Sequence, residues 1–411
     1  INTLCIIPDD PEYNKQQQNF ENVSIPEAWN YTTGNGEIII SVMDSGINFD
    51  HPDLQTNIFI NEDEIPDDGI DNDSNGYIDD WHGWDFVDAP ELYDMAMGDY
   101  LDQDNDPSDE LNHGTHIAGI ISADTNNNEG ISGICWNIKL LVIRAGFLSI
   151  DGYGYLQDDD AAAGIIYASD MGADIINLSW GDENFSQIIA DACYYAYERG
   201  SIIVVSSGNT YGPDIMYPAI LSTTISVGSV DKYLERASFS SYGPALDLVA
   251  PGVNIISTYN VSGENTYYEQ SGTSVSAPFV SACLGLLLSL EPGLNFEQVR
   301  ARLNSSTIDL GEPGFDNEYG NGLLDAYSLL TTTSYPIIEI SYPPEFSGFS
   351  ESFDIIGSVT APDFSRYCVM YTTEQEPTIL DWKDVSYPHN NTPVFYEYEV
   401  ENDVLANFDI R

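Results

Sequence analysis

The chain has 411 residues and carries 67 Asp and Glu against 11 Lys and Arg, a formal net charge of −56. That balance excludes nucleic acid as a partner, because phosphate binding needs a basic face, and the length admits one large α/β domain with a smaller unit. The longest apolar helix candidate, around Cys283–Leu288, falls short of the roughly 18 residues of a membrane span, so no span is expected. The N-terminus lacks a basic segment followed by an apolar one, so no signal peptide is read, and a start at Ile1 suggests a processed product whose propeptide lies outside this chain.

In chain order, residues 1–20 are polar and Gln-rich and read as an arm lying on the body. Gly36–Asp44 is an apolar run of strand length ending in an Asp, and similar runs follow at Leu140–Ile143, Ile175–Ser179, Ser201–Ser206 and Thr224–Gly228. Helical segments are expected at Gly114–Ser122, Asp160–Met171 and Phe185–Arg199. Apolar strands alternating with helices predict a parallel sheet covered on both faces. Ligand chemistry then belongs at the carboxyl ends of the strands, where Asp44, Ser179 and Asn209 fall. From Thr332 the helical runs stop, and Ile337–Ile340, Phe353–Val359, Cys368–Thr372 and Val394–Tyr398 look like short strands between Pro, Gly and Asn turns. The expected domains are therefore an arm over 1–20, a body over 21–331 and a small β-sandwich over 332–411 whose full extent runs past Arg411.

One stretch stands out for metal chemistry. Asp71-Asn72-Asp73-Ser74-Asn75-Gly76-Tyr77-Ile78-Asp79 sets oxygen ligands at alternating positions with Gly sixth, an EF-hand-like pattern. The twelfth position is His82, so Asp67, Asp79 or Asp80 would have to supply the missing carboxylate. Hard oxygen ligands select calcium over zinc; the alternative is a solvated acidic loop. Five cysteines, at 5, 135, 193, 283 and 368, are too few and scattered for a disulfide framework, and buried free thiols are expected.

Three motifs in fixed order carry complementary reactive groups: Val42-Met43-Asp44-Ser45-Gly46, His113-Gly114-Thr115-His116 and Gly272-Thr273-Ser274-Val275-Ser276-Ala277-Pro278. They supply a carboxylate, an imidazole and a hydroxyl, the parts of a serine hydrolase. Ser274 opens a helical segment expected over Val275–Leu290, where unsatisfied N–H groups and the helix dipole favour an oxyanion. From chemistry alone either His113 or His116 could be the base. A lipase or esterase is disfavoured, since the Gly-x-Ser-x-Gly elbow is missing and the order Asp, His, Ser is that of the subtilisin type.

Over roughly residues 20–330 the sequence resembles the subtilase family of serine endopeptidases, in its thermitase-like branch. The resemblance implies an α/β, three-layer fold with a central mostly parallel sheet, here followed by the small C-terminal β-sandwich. It assigns Asp44, His113 and Ser274 to the triad, with His113 as the base, and makes Asn209 the oxyanion donor. It also implies that Ser179, Trp180 and Gly181 pair with the substrate backbone and form one wall of the P1 pocket, with Ser206, Ser207 and Gly208 opposite. Met216, before the cis-proline position Tyr217-Pro218, would shorten that pocket and favour an apolar P1; Trp180 could instead be a core residue. Two further calcium sites rest on the resemblance, one at Asp53 with the loop Thr125–Gly130 and Asn127, the other in Asp102-Gln103-Asp104-Asn105-Asp106. The expected protein is a secreted, monomeric endopeptidase stabilised by two or more Ca2+ ions and acting on polypeptides, its acidic surface suited to a saline or marine exterior. The alternative is a non-catalytic surface-binding or adhesion protein on the same scaffold.

Overall fold

The computed structural model describes residues 6–92, 94–333 and 335, and then the strand segments 337–342, 353–360, 370–371, 383–384 and 396–398. By internal contacts the chain divides into two units, Ile1–Phe296 with Thr307–Thr331, and Glu297–Ser306 with Thr332–Arg411.

The first unit is built on seven strands: β1 (Gly34–Asp44), β2 (Gly83–Asp85), β3 (Asn137–Arg144), β4 (Ile175–Leu178), β5 (Ile202–Ser206), β6 (Thr224–Val230) and β7 (Leu248–Pro251). They pair in the order β7-β6-β5-β4-β1-β3-β2, every pair parallel. Their near-continuous apolar sequence follows from burial on both faces. Side chains alternate across the sheet, so Met43, Ile143, Ile176 and Ile203 point into one core with helices α3 (Asp158–Asp170) and α4 (Gln187–Glu198). Ile40 points to the other face, against the helix α5 (Ala277–Leu290), where Gly285 gives it room. Each fully buried Leu or Ile here contributes about 1.5–3 kcal/mol. The chain enters at β1 in mid-sheet, goes first to β2 and β3 on one side and later to β4 on the other, which leaves a crevice at the carboxyl ends of β1 and β4.

The expected arm includes a helix, α1 (Tyr13–Asn22), whose Tyr13, Gln16, Asn19 and Phe20 are buried. The helix α2 (His113–Ser122) lies beside α5 and under a hairpin, β8 (Ile255–Val261) with β9 (Glu264–Gln270). Its two-residue turn, Ser262 and Gly263, has positive φ at both positions, 54° and 91°, the geometry that suits a tight hairpin. Thr273–Leu290 is long and apolar enough to cross a membrane by length and composition alone, a longer run than the Cys283–Leu288 stretch read from the sequence. It is 83% buried inside the protein, as a core helix with its leading turn. Cys135, Cys193 and Cys283 are buried free thiols, as expected; Cys5 and Cys368 lie outside the described residues.

In the second unit the described strands Ile337–Tyr342, Phe353–Thr360 and Tyr396–Tyr398 form an antiparallel sheet, and Met370–Tyr371 pairs with Lys383–Asp384. The turns and remaining segments expected to complete a β-sandwich there lie outside the described residues.

Gly119 on α2 marks a close approach: a Cβ there would sit 2.3 Å from Thr258 Oγ1 and 2.4 Å from Ser257 Oγ. Both hydroxyls are committed to α2 carbonyls, Thr258 to Thr115 at 2.7 Å and Ser257 to His116 at 2.6 Å. Gly119→Ala should therefore push the hairpin off the helix and cost about 1–3 kcal/mol, read as a lowered urea midpoint at unchanged m-value.

Candidate active site

Asp44 ends β1 and is 5% exposed. A carboxylate buried at a strand end needs donors, and it has them: Ser45 N–H at 2.8 Å and His113 Nδ1 at 2.8 Å from Oδ1 and 2.9 Å from Oδ2. His113 begins α2 and keeps about a third of its side chain open, at 33%. Burial pulls its pKa down, but the Asp44 charge and hydrogen bond, with Asp109 adding, outweigh this and raise it above the ordinary 6.5. With Nδ1–H held by Asp44, Nε2 is the nitrogen left to exchange a proton.

His116 is separated from this chemistry. Its Nε2–H donates to Ile255 O at 3.1 Å and Tyr268 O at 3.0 Å, so it fastens both strands of the hairpin to α2. Burial drives its pKa down to about 4, which keeps the ring neutral. The ambiguity between the two histidines is thus resolved by their partners, a carboxylate for one and two carbonyls for the other.

Ser274 sits in a short 3-10 turn, Thr273–Val275, that leads into α5 and packs on α2. Its carbonyl accepts Ser179 Oγ at 2.7 Å, and Ser179 in turn accepts Asn177 Nδ2 at 2.9 Å. Asn209 reaches the same turn from the end of β5. Its Oδ1 accepts Thr273 N–H at 3.0 Å, and because that N–H can only donate, the amide nitrogen is turned the other way. The Cβ position of Gly272 lies 3.0 Å from Ser274 Oγ and 3.6 Å from Asn209 Nδ2, so a glycine keeps both groups uncovered.

Beside them, Trp180 packs against the core and donates Nε1–H to Met43 O at 3.2 Å, next to Asp44. Gly181 and Gly208 face each other across Met216: a Cβ on Gly181 would be 3.1 Å from Met216 Cβ, and one on Gly208 only 2.4 Å from Met216 Cγ. Ser207 O accepts Met216 N–H at 2.9 Å, and the bond before Pro218 is cis, as the resemblance implied. Ser206 and Ser207 are buried behind this wall.

The expected metal residues divide into three places. Asp53 and Asn127 meet, with Asn127 Nδ2 at 2.7 Å from Asp53 Oδ1, and burial pushes Asp53 up to about 7. Asp10, which sequence reasoning missed, accepts Asn126 and Asn127 N–H from the same loop. Asp71 and Asp73 form a cluster with Glu64. Asn75 stands beside it, donating to Asp73 at 3.1 Å and Asp80 at 2.9 Å. Asp79 accepts Asp68 and Gly69 N–H, both at 3.0 Å, and Asp67 takes a left-handed turn position. Asp104 clusters with Asp85 and Asp99, while Asp106 accepts Ser108 Oγ and Asp102 is exposed. Among the described residues two acidic clusters can thus hold a metal ion, each completed by residues outside the expected set: Glu64 in one, Asp85 and Asp99 in the other.

Asp109 is another residue that sequence reasoning missed. Its carboxylate accepts Leu111 and Asn112 N–H, Ser45 Oγ at 2.8 Å, and Thr115 N–H at 2.9 Å, and so ties the loop after Asp44 to the first turn of α2. The available sign was an Asp four residues before the base, at the N-terminus of a helix that favours negative charge.

A parallel sheet with a buried Asp paired to a half-open His, and a half-buried serine at its crevice, defines a subtilisin-like serine endopeptidase. The comparisons agree: the Subtilase family pattern matches residues 35–322, and the chain belongs to that family. It is 35% identical to a thermophilic serine proteinase of a Bacillus species, over 79% of this chain and 69% of the relative. It is 36% identical to a halolysin-like extracellular serine protease of Natrialba magadii, of which it spans only about half, 53%. Thermitase of Thermoactinomyces vulgaris is 32% identical over 78% of this chain and 98% of its own. A solved protease from Pseudoalteromonas arctica superposes with a TM-score of 0.65 at 27% identity, covering 79% of this chain and 98% of that one.

The raised His113 pKa fixes a pH dependence. The imidazolium–carboxylate pair contributes stability fully below the ordinary 6.5 and loses it as pH rises through the raised value. The base is available only above that value, so the acid limb of kcat/KM lies above 6.5. Asp44→Asn should move this limb to lower pH while reducing kcat by about 10⁴; a limb that stays in place would separate it from His113.

Proposed function

We propose that the protein is a secreted endopeptidase that cleaves polypeptides through an acyl-enzyme on Ser274, and the observation that carries this is the Asp44–His113 pair at the start of α2, the helix on which the Ser274 turn packs. Ser274 Oγ attacks the substrate carbonyl and gives its proton to His113 Nε2, while Asp44 holds Nδ1–H and stabilises the imidazolium. The oxyanion is met by Asn209 Nδ2, whose orientation Thr273 imposes, and by Ser274 N–H. His113 then protonates the leaving amine, and water releases the acyl group by the reverse path. Extended substrate adds as a strand along Ser179–Gly181, which gives affinity with broad sequence tolerance. Met216, lying between Gly181 and Gly208, supports a shortened pocket with an apolar P1.

Calcium is part of the proposal. The raised carboxyl of Asp53, buried beside Asp10 and Asn127, is under-compensated by its hydrogen bonds and suits a cation. The ion there would hold the loop over 125–131 and, through Asp10, the segment before α1. The likeness to a halolysin-like extracellular protease and the net charge of −56 support a saline exterior, with the thermitase-like branch supported by the coverage of that enzyme. The β-rich residues from Thr332 are proposed as an accessory unit supplying no catalytic group.

A serine-directed phosphonate should label Ser274 stoichiometrically, and Ser274→Ala should abolish casein cleavage; a Ser274→Ala protein that still digests casein would leave the scaffold without this chemistry. Asn209→Ala should lower kcat by about 10²–10³ with KM little changed, measured on a chromogenic peptide. Met216→Ala should raise kcat/KM for aromatic P1 residues relative to Ala at P1, read from a matched peptide series.

A further inference from the structure

The segment from Asn61 to Trp81 closes on itself, with Asn61 N–H donating to Trp81 O at 2.7 Å. It carries little core of its own: Ile65, Ile70 and Ile78 are exposed by 60%, 56% and 49%. Inside it, carboxylate oxygens of Glu64, Asp71 and Asp73 lie within 4.8 Å of one another. Like charges at that spacing repel, and among the described residues no Lys or Arg forms an ion pair with any of the three. The cluster of Asp85, Asp99 and Asp104 differs, because the buried Arg144 guanidinium pairs with Asp85 and reaches Glu110 at 3.1 Å.

Glu64 is the decisive residue. It is 5% exposed, and its Oε1 accepts Asn72 N–H at 2.7 Å and Asp73 N–H at 3.1 Å. Its Oε2 is buried and has no hydrogen-bond partner. A buried carboxylate oxygen left without a donor is costly and calls for a ligand. The turn that follows presents the other two carboxylates to the same place: Asn75 N–H bridges Asp71 at 3.1 Å and Asp73 at 3.0 Å, and Gly76, at φ +101°, donates to Asp71 at 3.0 Å.

We propose that Glu64, Asp71 and Asp73 ligate one Ca2+ ion, with Glu64 supplying from upstream the carboxylate that the EF-hand-like loop lacks at its twelfth position. His82, which occupies that position, is stacked between the rings of Phe49 and Trp81, with centroids at 4.6 Å and 3.9 Å. Asp79 is engaged in capping Asp68 and Gly69. An all-oxygen, carboxylate-rich donor set with a half-open side matches calcium, with water filling the remaining positions. The ion holds together a loop tied to the core by polar and aromatic contacts such as Tyr167 OH on Asp80 at 2.7 Å and Tyr77 on Trp84. This deepens the calcium reading above, and it is independent of the Asp53 site.

The test uses the full chain carrying Ser274→Ala, so that no self-digestion intervenes and the peptidase reading is not at stake. Tb3+ is titrated into metal-free protein and its emission, excited through Tyr77 within the loop, is followed with Ca2+ as competitor. Bound calcium is counted in parallel by equilibrium dialysis. Glu64→Gln, close in shape to the parent, should bind one ion fewer or bind it roughly tenfold or more weakly, and should be cut between Asn61 and Trp81 by an added protease in calcium. Asp71→Asn, at a half-buried position, should do the same if the first variant folds poorly. An unchanged, non-zero calcium count and unchanged Tb3+ emission in both variants would overturn this site alone. A parent protein that binds no calcium would overturn it together with the wider calcium reading.

Discussion

A charged group at the end of a buried parallel strand is tolerated only where donors converge on it, and that requirement organises this molecule. Asp44 is placed by β1 in mid-sheet, where the chain's path opens a crevice, and its charge is met by a backbone N–H and an imidazole. The imidazole must come from an element that starts at the crevice, so α2 begins with His113 itself. Gly114 permits this, since a Cβ there would lie 2.1 Å from Gly46 O. Ser45 and Asp109 then lock the two segments: Gly114 N–H donates to Ser45 Oγ at 3.0 Å, and Ser45 donates to Asp109.

The second constraint is charge. With 67 acidic residues against 11 basic ones, most carboxylates cannot find a cationic side chain. The structure handles them in distinct ways. Backbone N–H groups absorb some, as at Asp109 and Asp316, the latter accepting Glu318 and Tyr319 N–H. Arg144 is buried among several others, and even so burial holds Asp85 up at about 7. Salt screens repulsion on the exposed remainder over about 8 Å at physiological strength, but it cannot reach into a desolvated cluster.

The parallel core was legible because its strands are apolar throughout and its helices periodic, and the expected runs match β1, β3, β4, β5 and β6 within a few residues. β2 escaped notice because three residues of Gly-Trp-Asp give no periodic pattern. The hairpin β8–β9 escaped because β9, Glu264–Gln270, is polar and exposed on most positions, so neither alternation nor hydrophobicity marks it; only Ser262-Gly263 hinted at a turn. Asp44, His113 and Ser274 stood out as candidates because each lies in a short motif dense in small residues. Asp10, Glu64, Asp85 and Asp109 were not, since in a chain with an acidic residue at every sixth position or so one carboxylate looks like another until the fold brings it to its partners.

His116 has a consequence for how this protein fails. One helix carries the imidazole at its first residue and, a turn later, a neutral ring that grips the hairpin running directly into Ser271-Gly272-Thr273-Ser274. Detaching that hairpin therefore disturbs the nucleophile's approach and the helix beneath the base in a single event. Inactivation by heat is accordingly expected to be all-or-none at the level of one molecule, so that a warmed population would consist of intact molecules and silent ones and would lose activity without changing its specificity.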